Sequence, residues 1–305
     1  MPDATANSDA GQDGSEPVGL DASDNDAASD ASGLPDTGAP DAFVDAGPSG
    51  CDFSGTWATR IQVALTWGGN VGLNAGSGTG YMWIRHEATA NGGIVPGTMV
   101  GCGLSTPGLP FTALSGGGTG RLDFALPLFG SAPPKVSPEP VLQVQGTGLA
   151  GDAVSLSPTA LLLGTSMADP VNGTWPPVAQ TVVTDSDSDG KPGVTVPHLN
   201  GGGYVYLPIE PFASSRSDVG YYAWRVAVSL SGSVVSCSEA AGPGNVTAFD
   251  HHLLACRRVG GADCNSTQVN LLESSRPLYV PGASTYRMIK VANGASCAAV
   301  KSALP

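Results

Sequence analysis

The chain is predicted to be all-β: two related β-barrel or β-sandwich units with a few short helices near the C-terminus, behind a disordered N-terminal tail. Three observations predict this. Short runs rich in β-branched and aromatic residues, bounded by Gly, Pro or Asn, recur from residue 51 onward. The composition is rich in glycine (43 residues) and poor in lysine (four residues), which suits extracellular β-structure better than a helical enzyme. A set of landmarks also occurs twice in the same order.

The first element is the tail, 1–50. It holds ten Asp and one Glu, no Lys or Arg, and Phe43 as its single aromatic residue. Such a segment cannot bury enough apolar surface to offset chain entropy, so an extended spacer is expected. The tail carries most of the net charge of -13. The remainder is nearly balanced and has no basic patch, which argues against nucleic acid as a partner. Met1 opens directly onto the acidic run with no apolar leader, so an upstream start is expected. The longest apolar run, around Ala160–Leu163, is far too short to span a membrane.

Two β-units are expected next, at 51–167 and 168–305. Phe53-Ser-Gly-Thr-Trp57 recurs as Val171-Asn-Gly-Thr-Trp175, Gly80–Arg85 as Gly220–Arg225, and Gly97–Cys102 as Gly232–Cys237. Strands are predicted at Thr59–Trp67, Gly80–Thr89, Gly97–Cys102, Arg121–Leu128, Val141–Gly146 and Ala153–Leu163. In the second unit they fall at Gly202–Leu207, Tyr221–Leu230, Ser233–Cys237 and Thr285–Val291. Helices are predicted at Ser266–Ser274, with Ser266 as cap, and at Ser296–Ala303.

Six cysteines, Cys51, Cys102, Cys237, Cys256, Cys264 and Cys297, form no C-x-x-C pair. An even count without metal spacing predicts three disulfides and an extracytoplasmic location. Cys256 and Cys264 flank a Gly-Gly turn and are the best local pair; the other pairings stay open.

The most chemically specific stretch is Asp185-Ser-Asp187-Ser-Asp189-Gly190. Carboxylates at loop positions 1, 3 and 5 with Gly at 6 suit a structural calcium ion, and the Lys191 carbonyl falls at position 7. Position 12 is Val196, where a bidentate Glu would complete the set. Further ligands would come from water or from Asp169, Glu210 or Asp218, and an affinity of roughly 10⁻⁴–10⁻³ M is expected. His251 and His252 precede a predicted strand, so they point to opposite faces and cannot share one ion. His86 and Glu87 face apart for the same reason. Arg257, Arg258 and Arg276 are candidate anion contacts, and Asn172, Asn245 and Asn265 head glycosylation sequons.

Three resemblances follow from these residues. Asp185–Gly190 resembles the calcium loops of EF-hands, dockerins and thrombospondin type 3 repeats, departing from them after residue 191. Gly55-Thr-Trp57 and Gly173-Thr-Trp175 resemble the Gly-x-Trp opening of lipocalin- and streptavidin-type barrels, which implies a Trp closing one end of a barrel that holds a small apolar ligand. Cys51–Ala58 with Asp185–Val194 resembles exported or lipid-anchored proteins of myxobacterial type, which implies a cell-envelope location and no particular activity. The function expected is calcium-stabilised binding, of a small ligand or cell-surface component, or a structural role. The competing class is a secreted calcium-dependent hydrolase acting on polysaccharide. Its carboxylates would come from Glu87, Asp123, Glu210 and Glu239.

Overall fold

The computed structural model describes residues 50–69, 73–89, 93–112, 119–124, 134, 136–200, 203–204, 207–209 and 212–305. The acidic tail therefore lies outside the described residues, as do Glu210 and parts of two predicted strands.

The first strands are β1 (Gly55–Trp67), β2 (Gly76–Ala88), β3 (Ile94–Val95), β4 (Gly97–Ser105), β5 (Leu109–Thr112) and β6 (Thr119–Phe124). Next come β7 (Val136–Ser137), β8 (Leu142–Val144), β9 (Ala153–Leu163), β10 (Thr165–Ser166), β11 (Val182–Val183) and β12 (Val194–Asn200). The last are β13 (Gly203–Tyr204), β14 (Leu207–Ile209), β15 (Phe212–Ser236), β16 (Glu239–Arg258) and β17 (Tyr279–Val291). Two helices, α1 (Ser266–Ser274) and α2 (Cys297–Ala303), complete the chain.

One antiparallel sheet runs in the order β3-β8-β9-β15-β16-β17-β1-β2-β4. Its two ends, β3 and β4, are separated only by Pro96, so they are halves of one run of chain. Along this path the sheet thus returns on itself as an eight-stave barrel, with β12, β13 and β14 pairing outside it. Alternation in β1 aims Trp57, Ile61, Val63, Leu65 and Trp67 inward, all buried, while Gln62, Ala64 and Thr66 stay exposed. The same rule brings Met82 and Ile84 of β2 and Tyr286 and Met288 of β17 into a single core with them, and a register shift between Leu156 and Thr159 of β9 lets both Leu156 and Leu161 join it.

The closure is uneven. β16 pairs with β17 only over Glu239–Gly244 and then leaves it. Beyond that point Tyr279 fills the space, packing edge-on to Phe249 at 5.4 Å and to Trp67 at 5.9 Å. A side branch, β5–β6, meets β12 and lays Phe124 edge-on against Tyr222 and Trp224, at centroid distances of 5.5 and 6.4 Å.

The expected pair of related units is not shown. β15, β16 and β17 sit between β9 and β1, so both halves of the chain build one sheet. The first Gly-Thr-Trp opens β1, but the second lies in a loop. Tyr221–Leu230 and Ser233–Cys237, expected as separate strands, run together in the single 25-residue β15, which ends at Ser236. Ser231-Gly232 looks like a strand break in sequence, yet Gly232 serves a close approach. A β-carbon there would lie 2.3 Å from the Ala241 carbonyl and 2.6 Å from the Tyr286 hydroxyl. Gly232→Ala is accordingly expected to lower the urea midpoint, costing about 1–3 kcal/mol; an unchanged midpoint would show that this approach is not tight.

Outside the barrel, α2 covers Ala58 and Trp83 of the β1–β2 face through Val300 and Leu304. The α1 cap is Asn265, one residue earlier than expected. Its side chain accepts from the Gln268 amide and Gln268 answers to the Asn265 amide, a reciprocal capping box. Three disulfides are formed: Cys51–Cys237, Cys102–Cys297 and the expected Cys256–Cys264. They fit an extracytoplasmic protein. Among the described residues no helix is long and apolar enough to cross a membrane.

Candidate metal centre

The aspartate loop is pinched out between β11 and β12. Its neck is closed by two backbone bonds, Ser186 N to Gly193 O (2.9 Å) and Gly193 N to Thr184 O (2.8 Å). Gly190 and Gly193 both take positive φ (80° and 90°), which the reversal requires. The Asp185 carboxylate folds the loop around itself, accepting from the amides of Ser188 (2.7 Å) and Gly190 (2.9 Å). Asp189 accepts from the Lys191 amide at 2.9 Å and from the Thr195 hydroxyl at 2.6 Å. Asp187 accepts from the Thr195 amide at 2.7 Å through Oδ2, while its Oδ1 is buried without a donor.

These contacts converge the triad: one carboxylate oxygen from each of Asp185, Asp187 and Asp189 lies within 4.8 Å of the others. Burial raises the Asp187 pKa, and the Asp189 charge adds to that. The Gly190 amide, more than any other partner, lowers that of Asp185. Hard oxygen donors at this spacing suit a cation such as calcium, which takes six to eight oxygens. Three side chains do not complete such a shell, and Val196 is wholly buried in the core. The candidate extra ligands are engaged elsewhere: Asp169 accepts from the Val171 and Asn172 amides, and Asp218 pairs with Arg257 at 3.1 Å. The Lys191 ammonium turns away from the triad, to Asp263 at 3.3 Å and over the Tyr221 ring. Thr195, which ties two of the three carboxylates to β12, carries no signal in the sequence.

The other expected residues disperse. Trp57 stacks on Phe53 at 5.3 Å, donates Nε1–H to the Phe53 carbonyl at 2.8 Å and lies under the Lys290 ammonium at one end of the barrel. Trp175 instead packs outside, against His252. Within the barrel, Thr59, Ile84, Met99, Leu142, Leu230 and Met288 surround a void of about 10 Å³, room for one water at most. His251 and His252 do face opposite ways: His251 stacks on the interior Trp224 at 4.5 Å, and His252 lies on the outer side against Trp175. Arg276 pairs with Glu273 at 2.8 Å and Arg257 with Asp218.

Of the hydrolase carboxylates, Glu87 accepts from the Thr56 hydroxyl and pairs with Arg85, while Glu239 pairs with Arg287 at 2.8 Å. They stand on β2 and β16, three inter-strand steps apart in the sheet order. At about 4.8 Å per step this is roughly 14 Å along the sheet. Glycosidic carboxyl pairs sit about 5–9.5 Å apart.

Compared with protein-family models, curated proteins and solved structures, the chain matches none.

Proposed function

We propose that this is an exported, calcium-stabilised β-protein with a binding or structural role at the cell envelope. The convergence of the three Asp185–Asp189 carboxylates within 4.8 Å is the observation that carries the metal part of this reading. Like charges so close repel unless a cation shares their field. The ion would be held by Asp185, Asp187 and Asp189, with the Lys191 carbonyl as the remaining main-chain candidate. Its contribution is structural: it would fasten the connection between β11 and β12 to the start of β12 through Thr195. The void that Thr59, Ile84, Met99 and Met288 help to line is too small for an organic ligand, which favours a cell-surface component as partner over a small apolar ligand at that place. The three disulfides support export.

Calorimetric titration with CaCl₂ tests the metal reading. Binding at roughly 10⁻⁴–10⁻³ M is expected, lost in the Asp185→Asn/Asp187→Asn/Asp189→Asn variant. Calcium at about 100 times Kd should stabilise the fold by about 2.7 kcal/mol over chelator. No calcium heat, together with identical melting in calcium and chelator, would refute it.

A further inference from the structure

We propose that His252 is a pH-sensitive latch holding the Val171–Pro177 strap against the outer face of β15–β16, closed while the imidazole is doubly protonated and open when it is neutral. Nδ1 of His252 lies 2.5 Å from Glu273 Oε1, and Nε2 lies 2.7 Å from the Pro176 carbonyl oxygen. Both partners are acceptors. A neutral ring carries a single N–H, so either tautomer sets a nitrogen lone pair against an oxygen. Only the imidazolium satisfies both contacts.

Glu273 is suited to be its counter-ion. The carboxylate is about 10% exposed and also accepts from the Leu253 amide at 2.7 Å and from Arg276 at 2.8 Å. With Arg276 fixed there, the Nδ1–H bond to Glu273 is the one a neutral ring retains. The proton that leaves for solvent is then the one on Nε2, and the bond that breaks is the one to the strap. Other titratable groups around the ring do not substitute for it. His251, the β16 neighbour, is buried on the opposite face; Arg225 of β15, beyond Trp175, is paired with Asp250 of β16 at 2.5 Å. Asp169 at the near end of the strap is spent on the Val171 and Asn172 amides.

The Trp175–Pro176 end of the strap depends on this ring. It is held by the Pro176 contact, by the stacking of Trp175 on His252 at 5.2 Å, and by Arg225, which donates to the Gly173 carbonyl and lies over Trp175, while Val171 at the other end packs against Ala160, Ala227 and Ala248. Two of these anchors run through His252. Opening would expose Trp175 and the Arg225–Asp250 pair.

The test uses the full chain and two readouts between about pH 5 and pH 8, the range in which a histidine changes charge. Histidine ¹⁵N spectra report the ring, and exchange of the Gly173 amide, which donates to the Asp169 carbonyl at 3.1 Å, corrected for intrinsic base catalysis, reports the strap. The expected result is an imidazolium at the acid end and, as it titrates, a loss of strap protection of at least about tenfold. His252→Gln should abolish that step. Should this variant fail to fold, Glu273→Gln serves instead and should move the step to lower pH. A neutral ring throughout, a ring that titrates without any change at the strap, or a Glu273→Gln step at the same pH would each overturn the latch.

Discussion

Acidification from pH 7 to about 4 should unfold this protein through three interior histidines. Burial drives His86 and His198 down to about 4, and His251 well below the ordinary value. His86 has no hydrogen-bond partner on either ring nitrogen. His198 meets the Tyr222 hydroxyl at 3.1 Å inside the aromatic end of the barrel, where Phe124 packs edge-on to it. All three are neutral in the folded state, whereas in the unfolded chain they bind protons near pH 6.5. The unfolded state therefore holds more protons below that pH, and stability falls as the pH drops, with the loss for His86 and His198 complete at about 4. A shift of this size is worth about 3 kcal/mol for each of those two, which together rivals the whole stability of a typical domain. Urea midpoints at pH 7, 6, 5 and 4 check it. His86→Leu should flatten the dependence by about one proton, and a midpoint constant from pH 7 to 4 would contradict the account.

Removing the Cys102–Cys297 bridge should have the second large effect. It joins β4 to the start of α2 across 195 residues of sequence. Opening a loop of that length restores denatured-state entropy worth at most about 5 kcal/mol, and about 2–5 kcal/mol is usual for a native bridge in a secreted domain. The helix it secures has only seven residues, too short to persist without packing. Trp83 reports the consequence directly, since it donates Nε1–H to the Leu304 carbonyl at 2.7 Å and lies under the Lys301 ammonium. Cys102→Ser/Cys297→Ser should show red-shifted, more readily quenched tryptophan emission and a melting temperature lower by several degrees. Unchanged emission and melting would mean that packing alone holds the helix.

Strand-forming residues and local signals were legible where the chemistry is local. The alternation Trp57, Thr59, Ile61, Val63, Leu65, Trp67 is a β-strand in any context, because a period of two puts one set of side chains on one face. Helix α1 was legible from its neighbourhood of capping residues, and Cys256–Cys264 from a short turn. The landmark echo is not matched by equivalent places in the fold: Gly55-Thr-Trp57 starts a stave, and Gly173-Thr-Trp175 forms a strap. The length of β15 was hidden by Gly232, which reads as punctuation but is there for the approach of β16.

The identity of the candidate loop belongs to the sequence, since Asp185, Asp187, Asp189 and Gly190 lie within six residues and their convergence is set by one turn of backbone. The three-bridge framework is likewise implied by six cysteines without metal spacing. Long-range assembly decided everything else: which cysteines pair across 186 and 195 residues, that both halves of the chain close one barrel, and that Glu273 of a C-terminal helix meets His252 of a strand. Contacts between residues so far apart depend on how whole strands pack, and burial of an apolar interior selects that packing collectively rather than residue by residue.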